Sequence, residues 1–270
     1  MTEFISSPAN KLLKEVVSLK QKKHRDSLGM FIAEGMRIVE ECAVSDWPIH
    51  LCIYTEAAAV RERIRRVIDK LAANKCRMVM VPDDLYHKLA DTEQPQGIMT
   101  VVRKKQATLT EMTPNNNVRP LIVVLDGIQD PGNVGTIIRT ADAAGCTGVI
   151  TLKGSADLYA GKTVRATMGS LFHLPVIEGL TADQLVTELR QANVKLMATC
   201  LQSSAIYYQA DFSNSVAIIL GNEGRGVCPE LITKADTCLN IPLVGSAESL
   251  NVAVAAGILL YESVRQRANL

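Results

Sequence analysis

The sequence predicts an α/β protein of two domains, and three observations carry that expectation. The carboxyl-terminal half alternates near-continuous apolar strands with helical periods, the pattern of a mostly parallel sheet covered on both faces. Residues 105–120, KQATLTEMTPNNNVRP, lose the apolar period and carry Pro114, three asparagines and Pro120, which is linker chemistry. The first hundred residues alternate short strands and helices on a smaller scale. The expected partition is a smaller α/β domain over 1–104, a linker over 105–120 and a larger domain over 121–270.

In the first domain, Leu12, Leu13, Val16 and Val17 share one face of a helix over 8–20. A short strand over 29–32 precedes a helix over 34–43, and IHLCIY (49–54) reads as a strand. A helix over 57–72 turns Arg61, Arg63, Arg65 and Arg66 outward, and residues 76–81 and 97–103 are β-branched, apolar strands. In the second domain the strands are 121–126, 148–152, 174–177, 194–200, 216–221 and 237–242, with helices near 133–144, 162–170, 181–192 and 249–267. Ligands of such sheets sit at the carboxyl ends of the strands, so the loops of interest are 126–133, 198–204, 221–228 and 241–251.

Composition narrows the function classes. With 270 residues, 47% hydrophobic and 21% charged, the chain can bury a core, and 4% aromatic content makes that core aliphatic. No apolar run reaches the ~18 residues of a membrane span, and MTEFISSPANKLLKEV lacks the apolar stretch of a secretion signal, so a cytoplasmic protein is expected. The seven cysteines form no C-x-x-C pair, which argues against zinc and a disulfide framework; no metal is expected. Residues 1–106 hold 18 basic against 14 acidic side chains and residues 107–270 hold 11 against 14, so a polyanion is expected at the first half. Lys20, Lys22, Lys23 and Arg25 are the candidate phosphate contacts, with solvated surface as the alternative.

Two nucleotide-binding patterns fail. ADLYAGKT (156–163) loosely matches a P-loop, but Asp157, Leu158 and Tyr159 are acidic or bulky where a phosphate cradle needs converging backbone N–H groups. GNEGRG (221–226) has glycines in the wrong spacing for a dinucleotide fingerprint. Three other segments are more informative. In LDGIQDPGNVGTIIRTADAAG (125–145) a strand ends at Asp126 and a Pro-Gly turn follows; Asn133 sits where a helix N-cap belongs, and Arg139 interrupts an otherwise apolar helix about 240° further round. An ion pair within the fold is the bland account of that arginine. AIILGNEGRGV (217–227) runs a buried strand into a glycine-rich loop with Asn222, Glu223 and Arg225, where backbone can approach a flat ligand. In IPLVGSAESLNVAVAAGILLYE (241–262), Ser249 reads as the N-cap of a long helix whose Ala253, Ala255, Ala256 and Gly257 admit a close neighbour.

In this order the three segments resemble the signature motifs of the SPOUT-class RNA ribose 2′-O-methyltransferases of the SpoU/TrmH type, over residues 121–264. KTVRATMGSLFHLPV (162–176) resembles the segment between the first two motifs and adds Lys162 and Arg165 as candidate RNA contacts, while FIAEG (31–35) is the best local match to a ribosomal-protein-like RNA substrate-binding domain. The resemblance implies a deep trefoil knot, a homodimer whose site borrows residues across the interface, and S-adenosylmethionine bound by Thr199, Leu201, Gly221, Asn222, Glu223, Ile241, Pro242, Leu250 and Asn251. A bulky side chain at Gly221 is then expected to fill the adenine slot and leave the fold intact.

It also implies a reaction. A ribose 2′-hydroxyl attacks a sulfonium methyl and must lose its proton. Arg139 is the implied catalytic group, with Asn133, Glu223, Ser249 and Asn251 orienting it or the ribose. Arginine side chains stay protonated in proteins, so positioning of phosphate and ribose and stabilisation of the developing alkoxide is the preferred role, with proton removal by arginine or water left open. The expected substrate is RNA, most readily ribosomal RNA. The alternatives are a SPOUT enzyme acting on a base nitrogen and a non-catalytic RNA-binding ribosome-assembly factor.

Overall fold

The computed structural model describes residues 2–114, 118–201 and 205–268; the asparagines at 115–117 and residues 202–204 of one loop of interest lie outside them. The chain forms two compact units, one of Met1–Lys105 with Tyr159–Phe172, the other of Gln106–Leu158 with His173–Leu270. The segment 159–172, placed by the sequence partition inside the second domain, thus packs with the first unit.

In chain order, the first unit contains β1 (Thr2–Phe4), α1 (Lys11–Ser18), α2 (Lys22–Leu28), β2 (Met30–Glu34), α3 (Met36–Val44), β3 (Ile49–Tyr54), α4 (Glu56–Ala59), α5 (Glu62–Ala73), β4 (Arg77–Met80), α6 (Asp83–Leu89) and β5 (Ile98–Arg103). Its sheet runs β1-β4-β3-β5-β2, with β1, β4 and β3 parallel and β5 antiparallel to both β3 and β2. Alternation along the strands divides the core. Leu51, Ile53, Val79, Val81, Met99 and Val101 pack with α1 and α6, while Cys52, Tyr54, Met78 and Ile98 pack with α3, α4 and α5.

The chain continues through α7 (Leu109–Met112), β6 (Leu121–Asp126), α8 (Pro131–Ala143) and β7 (Gly148–Leu152) of the second unit, then α9 (Gly161–Ala166) and a 3₁₀ turn at Ser170–Phe172 of the first. It ends in the second unit with β8 (Val176–Leu180), α10 (Ala182–Gln191), β9 (Lys195–Thr199), β10 (Val216–Gly221), α11 (Pro229–Lys234), β11 (Thr237–Leu239) and α12 (Val252–Arg267). The six strands are all parallel, in the order β11-β9-β10-β6-β7-β8. Ile122, Val124, Ile150, Ala217 and Ile219 face α10 and α11. The alternate residues Leu121, Val123, Leu125, Ile218 and Leu220 are equally buried, which is the signature of a sheet covered on both faces. The helices α8 and α12 lie against each other, with Gly257 leaving room for Thr140.

Segment 159–172 is held by aromatic contacts. Tyr159 lies 4.8 Å from Phe31, and Phe172 lies 5.5 Å from Trp47 in an edge-to-face pair. The first turn of α9 is no phosphate cradle: a side chain at Gly161 would meet the Asp91 carboxylate at 2.5 Å. All seven cysteines are free thiols. Among the described residues, no helix is long and apolar enough to cross a membrane, and no His/Cys/Asp/Glu group could hold a metal ion.

Candidate active site

The carboxyl ends of β9, β10 and β11 and the amino end of α12 surround a cavity of about 620 Å³. That volume lies within the range of small-molecule sites, ~300–1,000 Å³. Its walls mix apolar side chains such as Leu239 and Ile241 with the backbone of the 221–226 loop.

One residue fixes that loop. A Cβ on Gly221 would lie 2.0 Å from the Val227 nitrogen and 2.1 Å from the Gly226 carbonyl carbon. The loop therefore folds back onto the end of β10, where it is closed by hydrogen bonds from Asn222 N–H to Gly226 O (3.0 Å) and from Gly226 N–H to Asn222 O (2.8 Å). Asn222 braces it from inside. Its Nδ2 donates to Gly127 O at 2.8 Å, and its Oδ1 accepts from the backbone of Gly224 and Arg225. Asp126, at the end of β6, accepts from Cys228 N–H at 2.7 Å. The expectation that a bulky residue at 221 simply fills the cavity is corrected: the space beside Gly221 is occupied by backbone.

The three informative segments meet in one chain of hydrogen bonds. Asn251 Oδ1 accepts from Ala253 and Val254 N–H, so its Nδ2 faces outward and donates to Asn133 Oδ1 at 3.0 Å. Asn133 Nδ2 then donates to Glu223 Oε1 at 3.1 Å. Each amide orientation follows from its neighbour's. Glu223 also accepts from the backbone of Gln129 and Asp130. Desolvation pushes the Glu223 carboxyl up, but hydrogen bonds from its own backbone N–H, Asn133, Gln129 and Asp130 outweigh it and hold the group below the usual glutamate value. Glu223 is therefore an anchored carboxylate at neutral pH.

Two expected caps move. Asp130, not Asn133, caps α8, accepting from Asn133 N–H at 2.8 Å with Pro131 in the first helical position. Asn251, not Ser249, caps α12. Both corrections release a side chain from a helix-capping role, since Asn133 now bridges two segments and Ser249 is exposed at the cavity. Thr199, Leu201, Gly221, Asn222, Glu223, Ile241, Ser249 and Leu250 line the cavity. Pro242, Asn251 and Asn133 do not, although the last two touch it through Glu223. Arg139 neither lines the cavity nor joins the Asn133 chain; it is exposed on α8 and makes no ion pair with the described residues. Among the lining groups not expected to bind are Leu239, Arg225 and Glu248. Arg225 and Glu248 stand inside the motifs already singled out, and Leu239 ends a strand whose carboxyl end was expected to matter.

The six cations expected at RNA divide into two sets. Arg25 is buried, 5% exposed, and its Nη1 donates to the carbonyls of Leu19 (2.7 Å) and Lys20 (2.8 Å) at the end of α1. Lys20 donates to Lys88 O and Ala90 O at the end of α6. Arg165 sits 3.8 Å from the buried Glu34 and 3.6 Å from Asp91. These three hold the first unit together, and the expectation that Arg25 meets a phosphate is corrected by its burial. Lys22, Lys23 and Lys162 are exposed.

The parallel-sheet unit thus carries a glycine-closed loop and a cavity at the carboxyl ends of its strands, the place where such sheets take small-molecule ligands. Residues 120–261 match the SpoU rRNA Methylase family, and residues 10–100 match the MRM3-like substrate binding domain. The 23S rRNA (guanosine(2553)-2′-O)-methyltransferase RlmP of Bacillus subtilis is 38% identical over 95% of this chain and 97% of its own. An AdoMet-bound rRNA methyltransferase from Sinorhizobium meliloti has a TM-score of 0.87 at 34% identity, covering 98% of both chains. The SpoU methyltransferase AviRb from Streptomyces viridochromogenes, in complex with AdoMet, has a TM-score of 0.86 at 28% identity, covering 97% of this chain and all of that one. The chain belongs to the SpoU rRNA methylase family.

Proposed function

We propose that this protein transfers a methyl group from S-adenosylmethionine to a ribose 2′-hydroxyl of ribosomal RNA. The observation that carries the reading is the Glu223–Asn133–Asn251 chain, which joins the three motifs beside a cavity of cofactor size. S-adenosylmethionine supplies an electrophilic methyl on a sulfonium. The cavity fits such a group, with apolar walls for an adenine ring and loop backbone for its polar edge. Thr199, Leu201, Gly221, Asn222, Glu223, Ile241 and Leu250 would hold it, with Pro242 and Asn251 supporting the walls. The carboxyl-terminal segments of the second unit form the family's trefoil knot in this reading, with the loop closed by Asn222 and Gly226 as part of it.

The chain's own groups then do three things. The anchored Glu223 carboxylate fixes the Asn133 amide, which fixes Asn251 at the start of α12. Ser249 and Asn251 orient the ribose. Arg139 grips the RNA phosphate and stabilises the developing alkoxide as the hydroxyl gives its proton to a water molecule. Since Arg139 is exposed and away from the cavity of its own protomer, the reading includes a homodimer in which it serves the partner's site; exposed Val254 and Tyr261 on α12, at 53% each, support a face for a second copy. The first unit, residues 1–105 with 159–172, supplies RNA affinity through Lys22, Lys23 and Lys162, and the cytoplasm is the proposed location.

The test is a series at Arg139 read by methyl transfer to ribosomal RNA and by cofactor calorimetry. Arg139→Ala is expected to lose methylation and keep cofactor affinity. Arg139→Lys keeps a charge but loses the planar fork. In the positioning role it loses on the order of 10²-fold in rate; as a base it keeps substantial activity with the pH–rate profile moved to lower pH. Near-wild-type methylation by Arg139→Ala overturns both roles.

A further inference from the structure

The cavity carries two charged side chains that the hydrogen-bonded chain does not use. Arg225 and Glu248 both line it, and neither side chain enters an ion pair with the described residues. Their mounting differs from that of Glu223. Arg225 is fixed at its backbone, where its N–H donates to Asn222 Oδ1 at 3.1 Å, so the guanidinium is left exposed on a braced loop. Glu248 lies in the exposed stretch just before Ser249. The rest of the lining is apolar or neutral, apart from Glu223, whose carboxylate is committed to Asn133 and the Gln129–Asp130 backbone.

S-adenosylmethionine has an adenosine end, which apolar walls and backbone groups can take, and an amino-acid end, which is a zwitterion. A carboxylate and an ammonium entering a cavity need partners of opposite charge or they remain hydrated. We propose that Arg225 receives the α-carboxylate of the cofactor and Glu248 its α-ammonium, so that these two residues recognise the amino-acid end while the 221–226 backbone, Leu239 and Ile241 hold the adenosine. The lining then carries two carboxylates and one guanidinium against a cofactor with two cationic groups and one anionic group. The thioether product has lost one of those cations, which weakens its electrostatic attraction to the site and favours release. This inference rests on the cavity being the cofactor's.

Calorimetry on the full chain separates the two claims, with S-adenosylhomocysteine and 5′-methylthioadenosine as probes. Both carry the adenosine thioether; only the first carries the amino-acid end. Arg225→Gln and Glu248→Gln are expected to weaken S-adenosylhomocysteine by about 10-fold to 100-fold each, the range of a lost charged hydrogen bond, and to leave 5′-methylthioadenosine within about twofold. Equal weakening of both probes, or no weakening of either, overturns the assignment. Ala255→Trp, which projects an indole into the cavity from the first turn of α12, is the control for the cavity itself. If it leaves both probes bound as in the wild type, the cofactor reading of the cavity fails. If it abolishes both while Arg225→Gln changes nothing, only the present inference fails.

Discussion

Replacing Gly221 by alanine adds one methyl group at the point where the 221–226 loop folds back on β10. The added carbon would lie 2.0 Å from the Val227 nitrogen and 2.1 Å from the Gly226 carbonyl carbon. Both are backbone atoms, so relief requires the loop to move by more than an ångström. That movement breaks the paired Asn222–Gly226 hydrogen bonds, at about 0.5–1.5 kcal/mol each. Residual overpacking at a buried strand end adds about 1–3 kcal/mol. The expected destabilisation is therefore about 2–6 kcal/mol, with cofactor affinity lost as the loop opens. Gly224→Ala is the internal control: its Cβ meets only Asn222 Oδ1, at 3.7 Å, and its backbone needs no left-handed conformation. It should change stability by less than about 0.5 kcal/mol. The assay is urea denaturation of both variants with S-adenosylhomocysteine calorimetry beside it. A Gly221→Ala protein that matches the Gly224→Ala protein in midpoint and affinity would refute the close-approach argument.

Three further outcomes are expected. The folded Glu223 carboxyl titrates below its ordinary value of 4.5, so its contribution to stability is present above that value and is lost as pH falls through the lowered one; Glu223→Gln should flatten the acid limb of urea midpoints measured from neutral pH to about pH 3, and an unchanged limb would show that its hydrogen bonds do not matter. Arg25→Met should destabilise the first unit by about 2–4 kcal/mol by leaving the carbonyls of Leu19 and Lys20 unpaired, whereas alanines at Lys22 and Lys23 should leave stability alone and lower the log–log salt slope of RNA binding by about 0.7–0.9 per lost phosphate contact; the reverse pattern contradicts the division of these cations. Phe172→Ala should cost about 3–5 kcal/mol, read by the single tryptophan Trp47, 5.5 Å away, and an unaltered Trp47 fluorescence midpoint would show that segment 159–172 does not hold the first unit.

Much of the second unit's sheet was legible from residues alone. Strands 121–126, 148–152 and 216–221 match their expected bounds because each is an unbroken apolar run closed by loop residues. Segments without an apolar period were missed. KKHRDSL (22–28) folds as a helix whose buried member is an arginine, a placement no hydrophobic pattern announces. The expected helix over 57–72 breaks before Glu62, giving α4 and α5. At the site, Asn133, Glu223 and Asn251 touch, whereas Arg139, which they were expected to orient, does not join them, and the caps of α8 and α12 are Asp130 and Asn251 rather than Asn133 and Ser249. The Asp130–Pro131 pair was the readable sign of the α8 cap, because proline favours the first helical position. Which of Ser249 and Asn251 caps α12 depends on where the helix starts, and spacing alone leaves that open by two residues.

The proposed activity requires that the purified protein methylate ribose. The direct measurement is transfer of labelled methyl from S-adenosylmethionine to protein-free and particle-bound ribosomal RNA, followed by digestion to nucleosides and mass analysis. The expected result is label in a 2′-O-methylated nucleoside at one position, lost in Arg139→Ala. Label on a base nitrogen, or cofactor binding with no transfer to either form of the RNA, would contradict it.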